Sequence, residues 1–341
     1  VVPPAAGAGV INSVANPNPI ISGSGQAPPP NSPLNTIQKM WDKGRKPERK
    51  RDWDEIYLKF QEYMNDSYYG LRKLQGRVGK TLPIQPGGKD DLITLLTLSP
   101  GAANSGATRY VTTIKTLKEL APNSSADDIN TILYANHAKE VLNEKGQGRV
   151  MAGGFTDTAQ LDDALAQLQM KLGTARYQEA EMGAEYIKNV YASQLAALVD
   201  EGLVEKETAK TLSDKYPWYN PLQYVDDAEE METQGKPIKP FNVVSNGLKR
   251  LSEVGTAKEA VAPLNILSDY LIRNEVRIIK NQIARAIVEL ALKDAPNVVK
   301  KVSTIRPVAT VEGVTVYRPT YQDPPGTLSY FENGKRQIYT V

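Results

Sequence analysis

Few residues in this chain have the types and spacing to do chemistry, and most fail on a specific requirement. Leu74-Gln-Gly-Arg-Val-Gly-Lys-Thr81 closes like a phosphate-binding loop, in Gly79-Lys80-Thr81. That motif needs a glycine where Leu74 stands, a strand before it and a helix after it. Here a helical pattern precedes it and Pro83 follows, so the segment reads as a basic helix end with a glycine stop. His137 is the only histidine. It stands four residues from both Leu133 and Val141, on a helical face shared with apolar neighbours. A general base requires a positioned nucleophile and an orienting acid, and no spacing nominates either, so a packed histidine is expected. Asp226, Asp227, Glu229, Glu230 and Glu232 crowd one stretch without the alternating ligands and fixed glycine of a calcium loop. They read as a solvated acidic loop. With no cysteine, thiol nucleophiles, zinc fingers and iron–sulfur sites are excluded. The expectation is no catalytic residue, no metal, no cofactor and no small-molecule substrate.

Two other groups have chemistry suited to contact. Lys43, Arg45, Lys46, Arg49, Lys50 and Arg51 could neutralise phosphates or anionic lipid heads, with Trp41 and Trp53 flanking them as stacking or interfacial rings. Farther on, Ile272, Val276, Ile279, Ile283, Ile287 and Leu290 step by 4, 3, 4, 4 and 3, one stripe of a long helix, with Arg273, Arg277, Lys280 and Glu289 on other faces. Asn274 and Asn281, a heptad apart, would fix register against a partner helix if they face one, and mean little if they face water. The stripe is a candidate oligomer or helix-packing surface.

The elements that must position these groups are mainly α-helical, with extended hairpins, one long amphipathic helix, a small C-terminal antiparallel β-hairpin region and a disordered or extended proline-rich N-terminal arm. The expected organisation is a Pro/Gly/Ser-rich linker over 1–35 and a basic helical segment over 36–100, including a helix from Asp54 that ends near Gly70 or Gly76. A helical bundle follows over 101–225, then an acidic and Pro-rich loop over 226–255. The long helix occupies 256–295 and the β-hairpin region 300–341. Asp90 starts a short apolar helix that Pro100-Gly101 ends. Ser125 and Asp128 make a capping box, and Gly146 with Gly148 stops that helix. Leu161, Leu165, Leu168 and Leu172 line one helical face; Ala184, Ile187, Tyr191, Leu195 and Leu198 line the next, which Gly202 closes. Tyr216-Pro-Trp-Tyr-Asn-Pro-Leu222 cannot be regular helix. Pro263 bends the long helix or marks its true start. Asn333-Gly334 turns the last hairpin.

At 341 residues the chain can bury a sizeable core, and a formal charge of +2 gives no support to wholesale nucleic-acid coating. No apolar run reaches the ~18–20 residues of a transmembrane helix. Val1-Val2-Pro3-Pro4 and the closing Val341 read as interior sequence, and the expectation is a fragment, or a mature product whose earlier part is gone.

The order of motifs from about 125 to 341 resembles the large polyvalent protein-associated domains of very long phage-encoded proteins. The resemblance lies in Leu198-Val-Asp-Glu-Gly-Leu-Val204, then a short helix and Lys215-Tyr-Pro-Trp-Tyr-Asn-Pro-Leu222. Gly255, Ala262-Pro263-Leu264, a long helix with Arg273, Asn274, Asn281 and Arg285, and Tyr330-Phe-Glu-Asn-Gly-Lys335 complete it. The wider Trp218–Pro221 insertion and Thr256 in place of serine depart from that pattern, and 1–100 is not covered. Such proteins resemble internal virion or DNA-ejection proteins, packaged in the capsid interior and passed into the host cell envelope. The resemblance implies a non-enzymatic homo-oligomer whose partners are other phage virion proteins (portal or core/ejection proteins), with contact to DNA or host membrane after delivery. The alternative it implies is a non-catalytic domain of a giant phage enzyme with helicase, methyltransferase or peptidase activity elsewhere on the chain. It transfers no catalytic residue.

Overall fold

In the computed structural model, which describes residues 32–44, 75–76, 79, 91–146, 149–221, 243, 260–302, 305–311, 314–319 and 326–340, the chain is mainly helical, with small antiparallel β-structure at its C-terminal end. The helices are α1 (Pro33–Gly44), α2 (Leu92–Leu98), α3 (Ala102–Leu120), α4 (Ala126–Lys145), α5 (Thr158–Leu172), α6 (Thr174–Asp200), α7 (Lys206–Lys215) and α8 (Pro263–Asp294). The strands are β1 (Lys300–Lys301), β2 (Ile305–Val311), β3 (Val314–Pro319), β4 (Thr327–Glu332) and β5 (Lys335–Thr340). They form an antiparallel sheet in the order β1-β5-β4 and a separate β2-β3 ribbon.

Helix α4 is buried on nearly every side, because its apolar residues do not keep to one stripe. Ile129, Ile132, Leu133, Tyr134, Ala135, Ala138, Val141 and Leu142 are all in the core. The expected capping box starts it: Asp128 N–H donates to Ser125 Oγ at 3.2 Å, and Ser125 N–H donates to Asp128 Oδ2 at 3.1 Å. Helices α5 and α6 pack on α4 as a hairpin hinged at Gly173, and the predicted faces are the buried ones.

Three expectations need correction. The arm is expected to run to 35, yet Pro33 already occupies the first turn of α1, with Ser32 before it as the capping side chain. Leu34, Ile37 and Met40-Trp41 repeat at helical spacing, and all four are buried. Trp41 is therefore not an interfacial ring. It meets Tyr134 edge-on at 5.7 Å, and burial of an aromatic outweighs any attraction of its basic neighbours. Second, α2 is capped by Asp91, not Asp90, and Ser99–Gly101 forms a 3-10 turn that leads straight into α3 at Ala102. Third, the long helix begins at Pro263, since proline fits the first turn, where its missing N–H costs nothing.

Helix α8 runs 32 residues, about 48 Å at ~1.5 Å per residue, and much of the core leans on it. Its first half crosses α3 so closely that a Cβ on Gly106 would stand 2.6 Å from Ile272 Cα. Its second half carries α2 on one side and β4 on another. The final hairpin turns through Asn333 (φ 49°) and Gly334 (φ 73°), the paired left-handed conformations an Asn-Gly turn supplies. The backbone contact at Gly106 predicts that Gly106→Ala destabilises the fold by about 1–3 kcal/mol in urea unfolding. Gly101→Ala, where a Cβ meets nothing within 4 Å, should leave stability unchanged or slightly higher.

Candidate functional site

The apolar stripe, a candidate for oligomer contact or helix packing, packs within the chain along its second half. Ile283, Ile287 and Leu290 are buried against Leu92, Leu95 and Leu96 of α2, with Ile279 at the margin. Ile272 lies under Gly106, and Val276 is half-buried. Asn274 and Asn281 face neither a partner helix nor water; both are fully buried.

Asn281 is the centre of the densest polar node. Its Oδ1 accepts the Phe331 N–H at 2.6 Å while its Nδ2 donates to the Phe331 carbonyl at 3.0 Å. The same Nδ2 lies 3.2 Å from the Glu201 carbonyl oxygen and 3.3 Å from Glu201 Oε1. Glu201 is a buried carboxylate, 5 % exposed, that accepts from Arg285 at 2.5 Å and from Gln282 at 2.7 Å. It needs all three partners, because an unbalanced carboxylate out of water is costly. Two glycines let the backbones meet behind it: Gly334 N–H donates to the Gly202 carbonyl at 3.0 Å, and a Cβ on Gly334 would stand 2.6 Å from Glu205 N.

His137 is packed, as its spacing predicts. It is fully buried, neither ring nitrogen has a hydrogen-bond partner among the described residues, and Tyr219 and Tyr216 meet it edge-on at 6.0 and 6.5 Å. Burial disfavours the imidazolium and lowers its pKa from 6.5 to about 4. One turn on, Glu140 accepts the Trp218 N–H at 2.9 and 3.0 Å, yet burial outweighs that bond and Lys188 and raises its carboxyl from 4.5 to about 7. Lys188 sits 4.8 Å from the Trp218 ring. The Tyr216–Pro221 segment is thus a clamp laid over α4, non-helical as expected, and Asn220 ties it down by donating to the Leu133 carbonyl at 3.3 Å.

The remaining groups are not brought together here. Lys43 is at the end of α1 with its side chain outside the described residues; Arg45, Lys46, Arg49, Lys50, Arg51, Trp53 and the Asp54 helix also lie outside them. So do Lys80, Thr81 and the acidic run 226–232. The part of the loop-like motif that is described serves α2: Gln75 accepts the Ile93 N–H and donates to Asp91, both at 2.9 Å. That role has no periodicity to betray it. Among the described residues no cluster of three or more His, Asp or Glu side chains is placed to hold a metal, and no helix is long and apolar enough to cross a membrane. A shallow groove between α6 and α7 is lined by Leu195, Val199 and Ala209, flanked by Asp200, Lys206 and Lys210, without convergent acid–base partners among the described residues. No family model, no curated protein and no solved structure matches the chain.

The buried groups make the fold testable at two points. Asn281→Ala leaves both Phe331 backbone groups unpaired, at about 1–3 kcal/mol each, so β4–β5 amides should lose hydrogen-exchange protection ahead of those of α4. His137, with its folded pKa depressed, contributes stability above pH 6.5 that is lost as pH falls through about 4, worth roughly 3 kcal/mol at ~1.36 kcal/mol per unit. Glu140 acts oppositely: its raised pKa favours the fold below pH 4.5, and that contribution is lost as pH rises through 7. Denaturation curves from pH 4 to 8 should show His137→Phe removing the first slope and Glu140→Gln the second.

Proposed function

We propose that this chain is a non-enzymatic structural and interaction segment of a phage internal virion protein, of the ejection or capsid-core type. It assembles with itself and with other virion proteins such as portal or core proteins, resides in the capsid interior, and assists passage of DNA through the host envelope. The run at 43–51 is the part with the charge to touch DNA or anionic lipid on that route.

One observation carries this reading: the separate motifs that make up the resemblance meet in space. Glu201 and Gly202 of the Leu198–Val204 motif, Asn281 and Arg285 of the long helix, and Phe331 with Gly334 of the closing hairpin form one node. Leu264 of the Ala-Pro-Leu motif is held by Asn130 at 2.9 Å and Pro263 by the Tyr191 hydroxyl at 2.9 Å. Residues that recur together for catalysis converge on a cleft. These converge on backbone groups and bury them, which is what a scaffold requires.

The test is mass spectrometry of purified virions of the phage that carries the gene, with light scattering of the purified chain. The expected result is the chain inside the particle and a symmetric assembly in solution. Absence from virions, with the gene among metabolic genes, would overturn the proposal. A monomer that belongs to a polypeptide with an enzymatic domain would replace it with the passenger-domain alternative.

A further inference from the structure

Arg273, Arg277, Lys280 and Ala284 follow one another at steps of 4, 3 and 4 along α8, a single stripe of the helix. Ala284 is buried beneath Tyr330 of β4, Lys280 and Arg277 are half-buried, and Arg273 is exposed. The stripe thus emerges from under the sheet toward solvent.

Its cations are unequally balanced. Arg273 donates to Asp269 at 3.1 Å. Among the described residues, Arg277 donates only to an amide, Asn274 Oδ1, at 2.5 Å. Lys280 makes no hydrogen bond and no ion pair among them, and the charge it feels is the like charge of Arg277. Neighbouring carboxylates are already engaged: Glu275 with Arg109 at 3.0 Å, Glu201 with Arg285. Asn274 sharpens the imbalance. Arg277 can only donate, so the amide must turn its oxygen toward it. Its Nδ2 is left, fully buried, turned to the Tyr270 hydroxyl, and of its two N–H groups at least one has no acceptor among the described residues.

Among the described residues the cluster is therefore rich in donors and poor in acceptors. Burial already disfavours the charge on both Arg277 and Lys280, and two half-buried cations with no counter-charge among the described residues lower stability until an anion joins them. We propose that Arg277 and Lys280 form a binding site for a phosphate group, with Asn274 Nδ2 as a neutral third donor. The planar guanidinium matches two phosphate oxygens and the ammonium serves as a point charge. An inorganic phosphate carries up to two charges, enough for both cations, and oxygens enough for all three donors; a single carboxylate could accept the bonds but balances only one cation. The phosphodiester of a nucleic acid offers the guanidinium the same pair of oxygens, but with one charge per phosphate. The site stands on α8 alone and does not depend on the virion role or on the run at 43–51.

The experiment is thermal unfolding of the full chain titrated with inorganic phosphate against chloride at equal ionic strength. Wild type should gain Tm saturably with phosphate. Lys280→Met should be no less stable than wild type without phosphate, because an unbalanced cation has gone. Its phosphate response should be about tenfold weaker or more, the loss of one charge-assisted contact. Lys280→Arg should restore the response. No gain over chloride in wild type, or an equal gain in Lys280→Met, would overturn the site. Competition by a short single-stranded oligonucleotide assigns the site to phosphodiesters and its failure assigns it to free phosphate; both outcomes support the site.

Discussion

Asn281 offers one donor and one acceptor to the two backbone groups of Phe331, and that pairing fixes where the sheet lies on the long helix. A strand laid on a helix ordinarily has only side-chain packing to set its register, and packing tolerates sliding. An amide that reads a single peptide unit does not. With Phe331 fixed, Tyr330 falls over Ala284 and Val288, and Phe331 itself enters the cluster of Leu195, Leu198 and Leu203. Glu201 adds the end of α6 to the same point, so helix, strand and loop share one set of satisfied polar groups. Such a node adds little net stability, because each bond replaces one to water; its effect is to make every other arrangement leave a buried group unpaired.

The other end of α8 is governed by the same rule. Ala262, at its cap position, has no side chain to hold the first free N–H groups, and Asn130 of α4 supplies an oxygen to Leu264 instead. The helix is thus registered by buried asparagines at its N-terminal end and just past its middle, between which it packs on α3 through the space that Gly106 leaves. Asn130, Glu201 and Asn281 are buried where secondary structures are joined, and the apolar stripes between them supply the driving force.

Much of this architecture is legible in the amino-acid sequence. Periodicity marks α5, α6 and the apolar stripe of α8, Ser125 and Asp128 mark the start of α4, and Asn333-Gly334 marks the last turn, because all of these depend on residues within a few positions. Helix α1 carries an equally short signal, Leu34, Ile37 and Met40-Trp41, but the prolines before it and the charges after it mask that pattern. Pairing at a distance leaves no such mark. Asn281 looks the same in sequence whether it faces a partner, water or the peptide of Phe331. Glu201 gives no hint of Arg285, nor Gln75 of Asp91, since nothing local distinguishes a buried carboxylate or amide from an exposed one. His137 is readable as packed because its neighbours at four-residue spacing are apolar, while the tyrosines that enclose it lie some eighty positions away.

The bond from Leu264 to Asn130 spans 134 residues. Helix α4, buried on nearly all sides in the finished fold, reaches that state only after α8 has been laid against its neighbours, so the mean separation of contacting residues is large and local structure alone cannot close the core. In a chain that passes through any narrow opening from its first residue to its last, a ribosome exit tunnel included, α4 to α6 are through before the Leu264, Leu267 and Leu271 side chains that share their core. By topology the core cannot be complete until α8 and the final hairpin are through.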